Sequence, residues 1–305
     1  TIAESFASLS LMIIIFYGGF GTNWTMSKPV ALPSILMSFG GVVVTAVLTG
    51  FFCHYVLGFS LLEGMLLGSV VGSTDYASVS SILRSKKLNL RYNTASFLEL
   101  ESGSNDPFAY TMTMIFLSLL LGESVSTGIL IVKQVVLGVA LGFVMAYLIE
   151  RLIERISLSQ DGLFAVFIAA TALLTFSLAD KVGGNGYLAV YIFGIHLGSQ
   201  EFVGKRDVVF FFDGFTELMQ IGLFFLLGLL SDLGSLVHYL PWSLAIVAFM
   251  TLIARPVAVY GLMLPFKMEK RQEAIIVFAG LRGAAAIAFA IMAINQNPPL
   301  AHDLY

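Results

Sequence analysis

Glu99-Leu100-Glu101-Ser102-Gly103-Ser104-Asn105-Asp106-Pro107 carries three carboxylates, an amide and two hydroxyls, yet it opens an almost wholly apolar run from Phe108 to Leu121. Hydropathy makes this stretch a membrane helix. Ionisable groups inside one cost several kcal/mol on most scales (about 2.5–3.5 at the centre), so their default meaning is a functional site with partners. Glu101 and Asn105 are four residues apart, as are Ser102 and Asp106, which gives two neighbouring polar stripes. One face of the helix is therefore wet.

The rest of the 305 residues agrees: 58% are hydrophobic and 11% charged, against about 25% charged in soluble domains. The chain reads as an all-α polytopic membrane protein. Cys53 stands alone, which excludes an internal disulfide, and His54, His196, His238 and His302 have no zinc-site spacing. No cofactor motif is present. The start at Thr1, with no initiator Met or signal-peptide pattern, leads us to expect further sequence upstream.

Windows of about 20 apolar residues give ten expected helices, at 3–20, 30–57, 61–83, 94–121, 127–149, 162–179, 186–198, 212–230, 236–264 and 273–294. The third is interrupted at Gly72-Ser73-Thr74-Asp75 and the tenth at Gly280-Leu281-Arg282-Gly283. If the connection after the third is cytoplasmic, Lys28, Arg84, Lys86, Lys87, Arg91, Arg151, Arg155, Lys205, Arg206, Lys267, Lys270 and Arg271 share that side. Only Lys133 and Lys181 lie on the other, while Arg255 and Arg282 fall inside spans. That asymmetry fixes the expected orientation.

Charge balance suggests partners. Arg255 needs a carboxylate at its depth, and Glu101 or Glu99 can supply it. Pro256 beside it is expected to kink the helix. Asp75 can cap a half-helix or contact a cation, and Arg282 is expected to neutralise partial charges at a helix break. Asp213 and Glu217 read as interfacial or pore-rim groups. Asp106 is left without an obvious fixed partner and can exchange a proton for a cation. Two other readings remain open: a passive cation channel, and an intramembrane aspartyl protease using Asp75 and Asp106 as a dyad.

Glu101-Ser102-x-x-Asn105-Asp106-Pro107, with Gly72-Ser73-Thr74-Asp75, Ala254-Arg255-Pro256 and Gly280-Leu281-Arg282-Gly283 in order along the chain, resembles the monovalent cation/proton antiporter family. The form is most similar to bacterial cell-volume-regulation antiporters, which exchange K+ or Na+ for H+ across the cell membrane. The resemblance implies inverted repeats with crossed discontinuous helices, this chain corresponding to helices 3–12 of thirteen. It implies an ion-translocating core at 30–122 and 236–295, and a dimerising scaffold at 1–24 and 123–232. Asp106 would bind cation and proton alternately, with Ser102 and Thr74 adding oxygen ligands. Asn105 would hold Thr74 at the break beside Asp75, Glu101 would pair with Arg255, and Arg282 would compensate charge on the second crossing helix. Exchange would be electroneutral, without cofactor, in a homodimer with a cytosolic regulatory segment elsewhere in the protein. One departure stands out: relatives often carry an acid before the paired glycines of the first span, where this chain has Tyr17 before Gly18-Gly19.

Overall fold

Long apolar runs joined by short polar links leave little choice but antiparallel helices, because only a helix satisfies its backbone polar groups without water. The computed structural model describes residues 1–75, 78, 90–122, 127–155, 161–231 and 233–296, and among these there is no strand. The described helices are α1 (Ile2–Gly21), α2 (Trp24–Ser27), α3 (Ala31–Phe52), α4 (Leu61–Val70), α5 (Thr94–Leu120), α6 (Thr127–Ile153) and α7 (Asp161–Lys181). They continue as α8 (Gly186–Gly198), α9 (Lys205–Leu230), α10 (Leu233–Phe249), α11 (Arg255–Met263), α12 (Lys270–Phe278) and α13 (Ala284–Asn295).

Six continuous runs are long and apolar enough to cross a membrane: Ile2–Gly21, Trp24–Leu57, Gly128–Ile153, Leu163–Lys181, Lys205–Leu230 and Tyr239–Phe266. Shorter apolar helices, Leu61–Val70, Gly186–Gly198 and Ala284–Asn295, complete other crossings. At 27 residues α5 is also long enough, but its apolar character is diluted by the polar stretch at 99–106.

Local chemistry explains several boundaries. A wide turn, Cys53–Leu57, ends the α3 run at Gly58 in the left-handed region (φ 80°). Ser60 then opens α4 with a capping box: its Oγ accepts from Glu63 N at 3.3 Å, and Glu63 Oε2 accepts from Ser60 N at 2.8 Å. The third expected helix stops at Val70, and 72–75 are non-helical. Its expected tail at 79–83 lies outside the described residues, as do Arg84, Lys86 and Lys87. The eighth span starts at Lys205 rather than at residue 212, behind Gly204 at φ 84° and with Asp207 in its first turn. Hydropathy trims this segment because Lys205, Arg206 and Asp207 are charged, yet a first turn tolerates charge at the membrane surface. The ninth carries a second wide turn at Met250–Ala254 directly before Arg255-Pro256, which accommodates the amide that proline lacks.

Two sets of helices pack among themselves: α3, α4, α5 and α11 in one, and α1, α6, α7, α8 and α9 in the other. α13 touches α1 and α9 as well as α4 and α5. Small residues bring α1 and α8 together, as lipid-embedded helices require. A Cβ added at Gly194 would fall on the Phe16 carbonyl, and one at Gly198 on the Phe20 carbonyl. Phe16 then stacks on Phe193 (5.6 Å between centroids) and tilts against Phe212 (5.0 Å), which ties α9 to the pair. We expect Gly198→Val to destabilise the protein by about 1–3 kcal/mol or more, read as a lower melting temperature in detergent. An unchanged melt would show that α1 and α8 do not depend on this approach.

Candidate functional site

The wet face of α5 is turned inward. Glu101 and Arg255, 2% and 4% exposed, form a two-pronged pair: Nη1 donates to Oε1 at 3.0 Å and Nη2 to Oε2 at 3.2 Å. Arg255 Nη2 also donates to Ile276 O at 3.1 Å, so the same guanidinium grips the last turns of α12. Of the two acids that can meet Arg255, the structure selects Glu101. Glu99 lines a cavity instead.

Glu101 also anchors the break after α4. Thr74 Oγ1 donates to its Oε1 at 3.4 Å, and Asn105 Nδ2 donates to Thr74 Oγ1 at 2.6 Å and to Glu101 Oε1 at 3.4 Å. Ser102 Oγ donates to Thr74 O at 2.5 Å. Thus Ser102, Asn105 and Thr74 converge as the sequence motif suggests.

The two interrupted helices meet here. Asp75 N donates to Leu281 O at 2.8 Å, joining the break after α4 to the break between α12 and α13. Arg282 Nη1 donates to Gly72 O at 2.5 Å and to Ser73 O at 2.6 Å. Its charge therefore sits on carbonyls that a helix end leaves without partners. Gly283 has to be glycine at this crossing, because an added Cβ would lie 2.6 Å from Asp75 Oδ2. Ser78 Oγ donates to that oxygen at 2.6 Å.

Asp106 differs from its neighbours. It is 9% exposed, takes a side-chain hydrogen bond from Ser73, and its Oδ1 has no hydrogen-bond partner among the described residues. It borders a cavity of about 620 Å³ whose lining runs from Ile14, within α1, and Ala285, in the first turn of α13, to Gly21 at the end of α1 and Glu99 in α5. Asp75, Glu99, Asp213 and Glu217 line it as well, and none of its described lining residues is cationic. Asp213 and Glu217 are exposed residues of this lining. Tyr17 reaches across the mouth, its hydroxyl donating to Asp213 Oδ1 at 3.1 Å. No trio of His, Cys, Asp or Glu among the described residues can hold a metal ion in the manner of a resident cofactor.

One positioning residue escapes the motif reading. Asn185 Nδ2 donates to Pro107 O at 2.8 Å and to Thr111 Oγ1 at 2.9 Å, while its Oδ1 caps α8 by accepting from Leu188 N at 2.9 Å. It fastens the turn after Asp106 to α8. An Asn directly before the short Gly-rich run at 186–198 is the available sequence signal, and it announces the cap without revealing the Pro107 contact.

Two interrupted helices that meet beside a buried carboxylate within a bundle of membrane-length helices are the arrangement on which many secondary-transporter folds are built. The family described as "Sodium/hydrogen exchanger, transmembrane" matches residues 1–305, and the chain belongs to it. Among its relatives, the K(+)/H(+) antiporter NhaP2 of Shewanella baltica (strain OS223) is 34% identical over 299 residues, covering 96% of this chain and 51% of that protein. The K(+)/H(+) antiporter NhaP of Alkalimonas amylolytica is 33% identical over 304 residues, covering 99% and 53%. The chain therefore spans about half the length of these relatives. The solved structure of the sodium proton antiporter MjNhaP1 from Methanocaldococcus jannaschii at pH 8 shares the fold, with a TM-score of 0.87 and 22% identity over 97% of this chain and 76% of that one.

Removing one member of a buried pair strands the other charge, so Glu101→Ala or Arg255→Ala alone should cost about 3–5 kcal/mol. The swap Glu101→Arg with Arg255→Glu should recover part of what either reversal loses, measured as melting temperature in detergent. No recovery would show that the two groups act through other partners.

Proposed function

We propose that the protein is a secondary active antiporter, not an enzyme, exchanging K+ or Na+ for H+ by competition of cation and proton for Asp106. One observation carries this reading: in a site where Glu101 is tied to Arg255 and Arg282 to helix-end carbonyls, Asp106 keeps Oδ1 unpartnered beside a cavity without a described cationic lining residue. Hard monovalent cations take oxygen ligands. The Asp106 carboxylate, Ser102 Oγ and the Thr74 oxygens form such a set, Asn105 positions Thr74, and Asp75 completes the crossing. The names of the relatives, K(+)/H(+) antiporters in Shewanella baltica and Alkalimonas amylolytica, support the substrate pair.

The cavity mouth lies at the end of the bundle that carries Arg91 and Lys205. By the positive-inside rule this is the cytoplasmic end, of a bacterial inner membrane if the chain follows its bacterial relatives. On the other side of Asp106, one turn along α5, Tyr110 packs edge-on against Tyr187 (4.7 Å) and tilts toward Phe289 (6.3 Å), and Tyr187 meets Phe176 (4.9 Å). This aromatic layer supports alternating access over a passive channel, since a channel needs a continuous route. The engagement of Asp75, whose carboxylate accepts from Ser78 Oγ, whose amide donates to Leu281 O and whose side chain abuts Gly283, counts against a protease dyad.

The packing of α3, α4, α5 and α11 supports a moving core at 30–122 and 236–295. The mutual packing of α1, α6, α7, α8 and α9 supports a scaffold at 1–24 and 123–232, with α13 at the seam. Exposed Phe210, Leu218, Ile221 and Phe225 on α9 give the scaffold an apolar flank suited to a homodimer. The neutral amide of Asn105 next to Asp106, where a second carboxylate would add a charge, favours one-for-one, electroneutral exchange. The greater length of the relatives leaves room for a cytosolic regulatory segment.

In proteoliposomes holding an imposed pH gradient, Na+ or K+ should dequench a pH dye with the wild-type protein and fail to do so with Asp106→Asn, which should still melt cooperatively. Retained exchange in that variant would end the assignment.

A further inference from the structure

The Asp106 site does not account for the polar residues of α9. Asp213, Thr216, Glu217 and Gln220 follow i, i+3, i+4, i+7 spacing within a span apolar enough to cross the membrane, and all four line the same cavity. Two carboxylates four residues apart on a helix repel each other, and the α1 wall facing them contributes no charge among its described lining residues. Between them, Thr216 is 8% exposed, and its Oγ1 has no hydrogen-bond partner among the described residues. A helical threonine ordinarily returns its hydroxyl to the carbonyl one turn back. Here that oxygen is left over in the cavity wall, flanked by two acids.

Tyr17 fixes the geometry. Its ring stacks on Phe212 (6.2 Å, 15° between planes), and its hydroxyl donates to Asp213 Oδ1 at 3.1 Å. That bond holds one oxygen of Asp213 and sets the orientation of the other.

We propose that α9 carries a second monovalent-cation site, nearer the cavity mouth than Asp106, formed by Asp213, Thr216 and Glu217. Two exposed carboxylates and one hydroxyl suit a partly hydrated alkali cation, and the absence of a third close carboxylate, thiolate or imidazole among the described residues argues against a divalent transition metal. The ion would be held here before it reaches Asp106, so the site governs apparent affinity rather than the exchange step. The inference rests on the antiport reading for the ion it names, and its binding test is run without Asp106 so that the two can fail separately.

The probe is Tl+, titrated calorimetrically into the whole Asp106→Asn protein in detergent. We expect residual Tl+ binding that Thr216→Val weakens about fivefold, while Thr216→Ser, which keeps the hydroxyl, retains it. Because replacing an unpartnered hydroxyl by a methyl is neutral or stabilising to the fold, Thr216→Val should melt no lower than its parent. Asp213→Asn reaches the same loss by a second route. With Asp106 intact, Thr216→Val should raise the half-saturating Na+ or K+ concentration about fivefold and leave the maximal exchange rate in place. No residual Tl+ binding, or binding indifferent to Thr216→Val, overturns the site. A rise in half-saturation with Asp213→Asn and Glu217→Gln but not with Thr216→Val would mean a diffuse field without a bound ion, and overturns it equally.

Discussion

The bidentate contact between Glu101 and Arg255 is the constraint around which the site is arranged. Glu101 Oε1 receives Arg255 Nη1, Thr74 Oγ1 and Asn105 Nδ2, while Arg255 Nη2 continues to Ile276 O. One carboxylate therefore binds α5 to α11, to the break after α4 and, through the arginine, to α12. Two desolvated charges gain little net stability as a pair, since desolvation consumes much of their attraction. The pair commits Arg255 to Glu101, and no described residue lining the cavity beside Asp106 is cationic.

Helix breaks in a membrane are tolerable only where something satisfies the freed backbone. Here two devices share that work. Arg282 covers the carbonyls of Gly72 and Ser73, and the Asp75 amide closes on Leu281 O. These backbone contacts at the crossing are made without the Asp106 carboxylate, which meets the break through the Ser73 side chain. Asn185 adds an external brace, because it takes up the Pro107 carbonyl from a helix of the other set.

Much of this was legible in the chain. The all-helical class followed from apolar length, and the wet face of α5 from four-residue spacing of Glu101 with Asn105 and Ser102 with Asp106. The pairing of Glu101 with Arg255 followed from charge balance, which nonetheless left Glu99 as an equal candidate, since two acids two residues apart on a helix differ in facing and only packing decides which meets the arginine. The start of α9 was misplaced because hydropathy averages over a charged first turn that lies at the surface. Asn185 on Pro107, Tyr17 on Asp213 and the unpartnered Thr216 join residues far apart in sequence, and one-dimensional spacing holds no trace of them. Asp213 and Glu217 read in the chain as interfacial or rim groups, but their joint facing toward Asp106 depends on how α9 is rotated against α1.

The wide turn at Met250–Ala254 has a consequence for the aim of Arg255. Each residue advances a regular helix by about 100°, so an extra residue in one turn resets the direction of everything downstream. Without that insertion the guanidinium on the very next residue would sweep round the axis toward hydrocarbon, and its proline neighbour would clash with the preceding coil. The inserted residue works as a shim: it spends one loosened loop of backbone to point a permanent charge at the interior of the molecule.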